Sequence, residues 1–225
     1  MFVQTSLILA QEVDLVEHPE HWDGAESQKN CPSRGLGRDI PTCTLSCGIA
    51  GIFRGLNWAH RERPRIRLST LDMARLQGLP DGSLGREYVR FLEDNLQKVS
   101  PDTRMPPKFV DDEELAYVIQ RYREVHDLMH TLLGMPTNML GEVVVKWFEA
   151  IQTGLPMCVL GAAFGPVRLS TRKLQVLATE LVPWAIRSGL NSSCVLNIYY
   201  EQRWEQPVES LREELGIFPP PAVPV

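Results

Sequence analysis

Between residues 113 and 152 the chain encodes two amphipathic helices and the turn that joins them. Leu115, Val118, Ile119, Tyr122, Val125, Met129, Leu132 and Leu133 recur at the steps of an apolar helix stripe. Gly134-Met135-Pro136 ends that helix, because Gly suits a helix C-terminus and Pro cannot continue one. A second stripe of Leu140, Val143, Val144, Trp147, Phe148 and Ile151 predicts a helix from about Thr137 to Gln152. So short a break folds the second helix back on the first, giving an antiparallel pair.

Metal-type side chains fall where the two helices face each other. At about 100° per residue, His126 and His130 lie about 40° apart, with Asp127 about 100° from His126. His130 and Glu142 stand about 6 Å and about 7.5 Å of helical rise from the turn, so they are level in an antiparallel pair. Two imidazoles and two carboxylates (His126, Asp127, His130, Glu142) can then converge on one cation. The mixed nitrogen and oxygen set suits zinc, iron, manganese or cobalt rather than calcium. A plainer account makes His126 and Met129 core residues and pairs Glu142 with Lys146 at i,i+4. Burying two histidines in an apolar stripe costs free energy unless they are bonded or ligated. The set as a whole therefore points to a metal.

The 225 residues, 44% of them hydrophobic, can bury a substantial core in one domain. A net charge of −5 argues against electrostatic capture of nucleic acid. Five cysteines, an odd number, do not read as a secreted disulfide framework. The longest apolar run, Leu155 to Val167, holds about 13 residues broken by Gly and Pro, too few to span a bilayer.

Residues 1–60 read as a poorly ordered, atypical N-terminal segment. The apolar start lacks a basic flank and acids come at once (Glu12, Asp14, Glu17, Glu20), so neither a secretory signal nor a mitochondrial presequence is legible. Its His and Cys spacings match no standard zinc framework. Regular patterning starts near Arg65. Ser69 or Thr70 is the expected cap of a short helix through Gln77, and Ser83 of a helix burying Leu84, Tyr88, Phe91 and Leu92. Lys98 to Phe109 reads as loop, and Asp111 with Glu114 is spaced as a capping box. After the central pair come a small-residue segment (Met157 to Gly165), a long amphipathic helix (Thr171 to about Arg187) and an ambiguous Val195 to Tyr200. A last helix has Pro207 at its start and Gly216 just past it, before a Pro-rich tail at 219–225. Arg168, Arg172, Lys173, Arg187 and Arg203 are interleaved with apolar residues, either a solvated face or one that meets anionic lipid. The expected fold is all-α, a single helical domain built around the antiparallel pair.

The spacing His126-Asp127-x-x-His130, then eleven residues, then Glu142, resembles the signature of the mitochondrial ubiquinone (coenzyme Q) biosynthesis proteins that stand fourth in that pathway's naming series. The stretches Leu79 to Tyr88, Phe109 to Tyr117, Leu133 to Thr137, Lys146 to Ala150 and Tyr199 to Glu205 resemble that family too. The resemblance covers residues 61–218, and residues 1–60 depart from it. It implies a helical protein, peripheral on the matrix side of the mitochondrial inner membrane, touching its lipid and working with other coenzyme Q proteins in a multisubunit complex. It implies removal of the C1 carboxyl of 4-hydroxy-3-methoxy-5-polyprenylbenzoate, with Zn2+ on His126, Asp127, His130 and Glu142. It leaves Fe2+ or another divalent transition metal, and a homo-oligomer, open.

In chemical terms, a hydroxyl para to the carboxyl can supply electrons for protonation at C1, after which carbon dioxide leaves as aromaticity returns. A Lewis-acidic cation would orient the anion and stabilise developing charge. Entry of oxygen at C1 would instead require a redox metal, which zinc is not. The polyprenyl tail needs an apolar surface, for which Met157 to Phe164 and Leu174 to Trp184 are the candidates. A competing reading is a non-catalytic, lipid-binding scaffold, since four protein ligands close a structural zinc site. Hydrolysis is disfavoured: no Asp occurs after Asp127, and a zinc peptidase would carry Glu after the first His.

Overall fold

The computed structural model describes residues 63–67, 69–95, 107–108 and 110–222. The expectations placed on residues 1–60, and most of those on the Lys98 to Phe109 loop, lie outside that range. The described chain is helical; its one β feature is an isolated antiparallel bridge between Ser83 and Pro207. Val195 to Tyr200, ambiguous in the sequence, forms 3-10 turns at Val195–Asn197 and from Tyr200 on.

Helix α1 (Met73–Gln77) starts later than expected, because Asp72 rather than Ser69 or Thr70 accepts the free amide of Arg75. Helix α2 (Leu84–Asp94) is capped by Ser83 and buries Leu84, Tyr88 and Leu92. Helix α3 (Glu113–Leu133) is the axis of the fold, buried on nearly every side from Val125 to His130. Its cap is Asp112, which accepts from Glu114 and Leu115, so the cap falls one residue after Asp111, and Leu115, at the third helical position, cannot complete the expected box. Gly134 ends it at φ +66°, and the amide of Met135 closes the last turn on the carbonyl of His130. Only a residue without a Cβ takes that left-handed conformation cheaply.

Helix α4 (Met139–Thr153) begins at Asn138, whose side chain caps the amide of Gly141. It is flanked by α5 (Pro156–Phe164) and α7 (Val182–Asn191). The small residues of α5 let it lie close. A Cβ on Gly165 would stand 2.5 Å from Val143, and one on Gly161 would stand 3.1 Å from the Lys146 stem. The long helix expected from Thr171 is divided into α6 (Thr171–Val176), a π-helical turn (Leu177–Leu181) and α7. Pro183 is the physical reason, since it has no amide for the helical ladder and its ring crowds the preceding turn. Gln152 ties α4 to the end of α7, donating to the carbonyls of Gly189 and Ser192 and accepting from the amide of Val195. Helix α8 (Val208–Leu215) ends at Gly216, φ +78°.

Two cations, buried Arg121 and half-buried Arg212, tie distant segments to α3. Arg121, 1% exposed, forms an ion pair with Glu201 and donates to the carbonyl of Ile198 2.9 Å away. From α8, Arg212 donates 2.6 Å to the carbonyl of Leu132, one of the last carbonyls of α3.

Candidate metal centre

His126, His130 and Glu142 meet as the two stripes require. One ligand atom from each lies within 4.8 Å of the other two. The Nε2 atoms of His126 and His130 stand 3.5 Å from Oε2 and Oε1 of Glu142 respectively. That is long for a hydrogen bond. Two donors on one tetrahedral metal, each about 2.05 Å from it, would be about 3.3 Å apart, so this spacing suits shared ligation.

The outer nitrogens of both rings are occupied. Nδ1 of His130 lies 3.0 Å from the carbonyl of Met135 in the turn, and Nδ1 of His126 lies 2.6 Å from Oε1 of Glu149. A carbonyl and an ionised carboxylate only accept, so each Nδ1 carries the hydrogen, and in the neutral ring each Nε2 keeps its lone pair. Nε2 of His130 is buried with no hydrogen-bond partner. Such an orphaned acceptor is costly in a core unless a cation takes it up. Phe91 stacks on this ring, centroids 5.6 Å apart, while the two imidazoles stand edge to face at 5.1 Å.

Asp127, expected as a fourth ligand, is buried on the same helix yet does not join the group. One residue of helix turns it about 100° away from His126. Glu142 has 37% of its side chain exposed, so the cluster opens to solvent on that side. The cluster within 4.8 Å is thus two histidines and one carboxylate, with an accessible face.

Behind His126 lies a polar network that the sequence motif does not include. Oε2 of Glu149 accepts from the Tyr122 hydroxyl and from Lys146 Nζ, both at 2.8 Å, and Lys146 donates 2.6 Å to the Tyr122 oxygen. The Cys158 thiol reaches the same hydroxyl at 3.2 Å. Lys146 therefore pairs with Glu149 rather than with Glu142. Glu149 stands seven positions after Glu142 on the same helix face, a spacing visible in the sequence that carries no metal signature. The charges settle accordingly. Burial alone would raise the carboxyls, but the neighbouring His126 and Lys146 hold Glu149 far below the usual range, and His126 and His130 do the same for Glu142. Burial opposes charge on His126 and Lys146, yet Glu149 outweighs it and both are raised. The Cys158 thiol is pushed up to about 12, by burial first and Glu149 second.

On the far side of His130 a cleft of about 860 Å³ runs between α2, the α3–α4 turn and α8, lined by Phe91, Asn95, Thr137 and Arg212. Of the tail candidates, Leu177, Leu181 and Trp184 are buried in the core, whereas Val159, Leu160 and Phe164 face outward.

Fold and side-chain cluster together define a class: a helical protein whose central antiparallel pair brings two histidines and one glutamate to a point that could hold a metal. Residues 58–221 match the family model described as coenzyme Q (ubiquinone) biosynthesis protein Coq4. The chain belongs to that family. It is 77% identical over 161 residues to the mouse mitochondrial ubiquinone biosynthesis protein COQ4 homolog and 71% identical over 161 residues to the human one. Each match covers 72% of this chain and 60% of the relative, so the chain spans about three fifths of their length. A crystal structure of a putative ubiquinone biosynthesis protein from Nostoc punctiforme shares the fold, with a TM-score of 0.59 at 24% identity, covering 72% of this chain and 75% of that one.

Proposed function

We propose that the chain acts in ubiquinone biosynthesis, removing the C1 carboxyl of 4-hydroxy-3-methoxy-5-polyprenylbenzoate to leave a methoxy-polyprenylphenol. The observation that carries this reading is the trio His126, His130 and Glu142, with two bare Nε2 atoms and a carboxylate facing one point and one side open. Zinc, iron or another divalent transition metal held there would act as a Lewis acid on the substrate's carboxylate or phenolate. The chain's own residues bind and orient: the turn carbonyl of Met135 and Glu149 hold the rings, and Gly161 of α5 lets that helix pack on the Lys146 stem. The net chemistry takes up one proton at C1 and releases carbon dioxide, with the para hydroxyl supplying electrons.

Three protein ligands with an open position are the pattern of catalytic zinc, whereas the scaffold reading drew its support from a closed set of four. The trio of His126, His130 and Glu142, which leaves a position open, therefore supports catalysis over a closed structural site, and assembly of partner proteins is compatible with it. Peripheral contact with the mitochondrial inner membrane fits α5 and the segment running from it into α6. Val159, Phe164 and Val167 are 47%, 67% and 81% exposed, and Arg168, Arg172 and Lys173 are exposed beside them. No Asp or Glu occurs between Glu149 and Glu180 in a chain of net charge −5, so this face suits anionic lipid. Among the described residues no helix is long and apolar enough to cross a membrane.

The test is elemental analysis of the purified chain beside Glu142→Gln and His126→Ala, followed by carbon dioxide release from the polyprenylbenzoate. Near-stoichiometric metal, lost in both variants together with turnover, is expected. Full metal in both variants would refute the site. Turnover that survives metal loss would refute the mechanism.

A further inference from the structure

The two oxygens of Glu149 are committed to different partners. Oε1 faces Nδ1 of His126 at 2.6 Å, while Oε2 accepts from Tyr122 and Lys146. Lys146 can only donate, so it fixes which way the carboxylate is turned. Its Nζ also stands 3.4 Å from Nδ1 of His126, near enough that the ring nitrogen would be drawn to accept from it were Glu149 absent. Thr153, one turn on, donates 2.7 Å to the backbone carbonyl of Glu149, and α5 closes over the group with Cys158. The side chain of Glu149 is 3% exposed. These bonds converge on Glu149, whose free oxygen is left for Nδ1 of His126.

We propose that Glu149 is the positioning residue of the metal centre: oriented by Lys146 and Tyr122, it holds His126 as the Nδ1–H tautomer, so that Nε2 is offered as a bare ligand. This rests on the metal-site reading above. Glu149 touches neither metal nor substrate and acts only through His126.

The near-isosteric Glu149→Gln separates this role from packing. Lys146 and Tyr122 both donate to the Oε2 position, so the amide oxygen must occupy it and the amide NH2 must face Nδ1. Nδ1 then accepts, the hydrogen moves to Nε2, and the ligand lone pair is lost. Nitrogen-15 NMR of the metal-free protein, at a pH where the ring shifts show neutral imidazole, reads the tautomer directly. The expected result is Nδ1–H in the wild type and Nε2–H in Glu149→Gln, with zinc affinity by chelator competition lower by about 10- to 100-fold. Adding Lys146→Met removes the obligate donor and lets the Gln oxygen turn to Nδ1, so the double variant regains much of that loss. A purely structural role gives the opposite order, with the double variant worse than the single. An Nε2–H tautomer in the metal-free wild type overturns the proposal without any variant. So does Glu149→Gln with unchanged tautomer and affinity. If the wild type binds no metal, the metal-site reading fails, while the tautomers still decide the role of Glu149.

Discussion

Gly141 sets where Glu142 stands, and a single methyl group tests it. A Cβ added there would lie 2.1 Å from the carbonyl oxygen of Pro136 and 3.1 Å from its carbon, whereas real Cβ contacts stay beyond 3.0 Å. In Gly141→Ala the first turn of α4 must therefore draw back from the α3–α4 turn by about 0.9 Å, the difference between 3.0 and 2.1 Å. Both parties are backbone, so no side chain can swing aside. Overpacking of this kind costs about 1–3 kcal/mol. The helix preference of Ala over Gly returns at most about 1 kcal/mol. A net loss of about 1–2 kcal/mol lowers Tm by roughly 2–8 °C for a domain of this size. Metal binding should suffer more than stability, because ligand distances tolerate only about 0.2 Å and Glu142 is the next residue. Thermal unfolding of the metal-free protein measures the first effect, and zinc competition with a chelator the second. Wild-type Tm together with wild-type affinity would refute the argument that close approach at Gly141 places the carboxylate.

Alkaline pH should destabilise the fold through groups buried in neutral form. Cys158 is raised from 9.0 to about 12 and Tyr117 from 10.0 to about 12, in both cases chiefly by burial. Raised groups contribute stability that is present below the unfolded pKa and is lost as pH rises through the folded one. Denaturant midpoints should fall between about pH 9 and 12, less steeply in Cys158→Ala; an unchanged slope would remove Cys158 from the account. The same thiol should resist alkylation at neutral pH until the protein unfolds, which thiol labelling with and without denaturant checks. Arg121→Ala should lose roughly 3–5 kcal/mol in equilibrium unfolding, because it strands Glu201 and the Ile198 carbonyl, whereas Arg121→Met should lose less. Phe164→Glu with Val167→Glu should abolish sedimentation with anionic vesicles and leave metal content unchanged; retained vesicle binding would clear this face of lipid contact.

What the sequence by itself determined is local. Apolar periodicity defines α3 and α4, and Gly134 with Pro136 forces the turn between them. Helical rise then makes His126, His130 and Glu142 level, which needs nothing beyond constant helix geometry. The Ser83 cap and the Gly216 stop come from the same short-range chemistry. Tertiary structure decided what depends on partners far along the chain or on competition between near-equal choices. Asp112 took the cap assigned to adjacent Asp111, and Asp72 capped α1 while Thr70 was engaged by the backbone of Arg65 and Arg67. Packing brought His126, His130 and Glu142 within 4.8 Å of one another, while Asp127, one residue on, lies outside that cluster. Glu149 joined the site's surroundings, and with it Lys146 and, from another helix, Cys158, because burial made their mutual hydrogen bonds obligatory. A helix repeat can place a ligand on a face, but only the packed neighbours decide which nitrogen of that ligand is left bare.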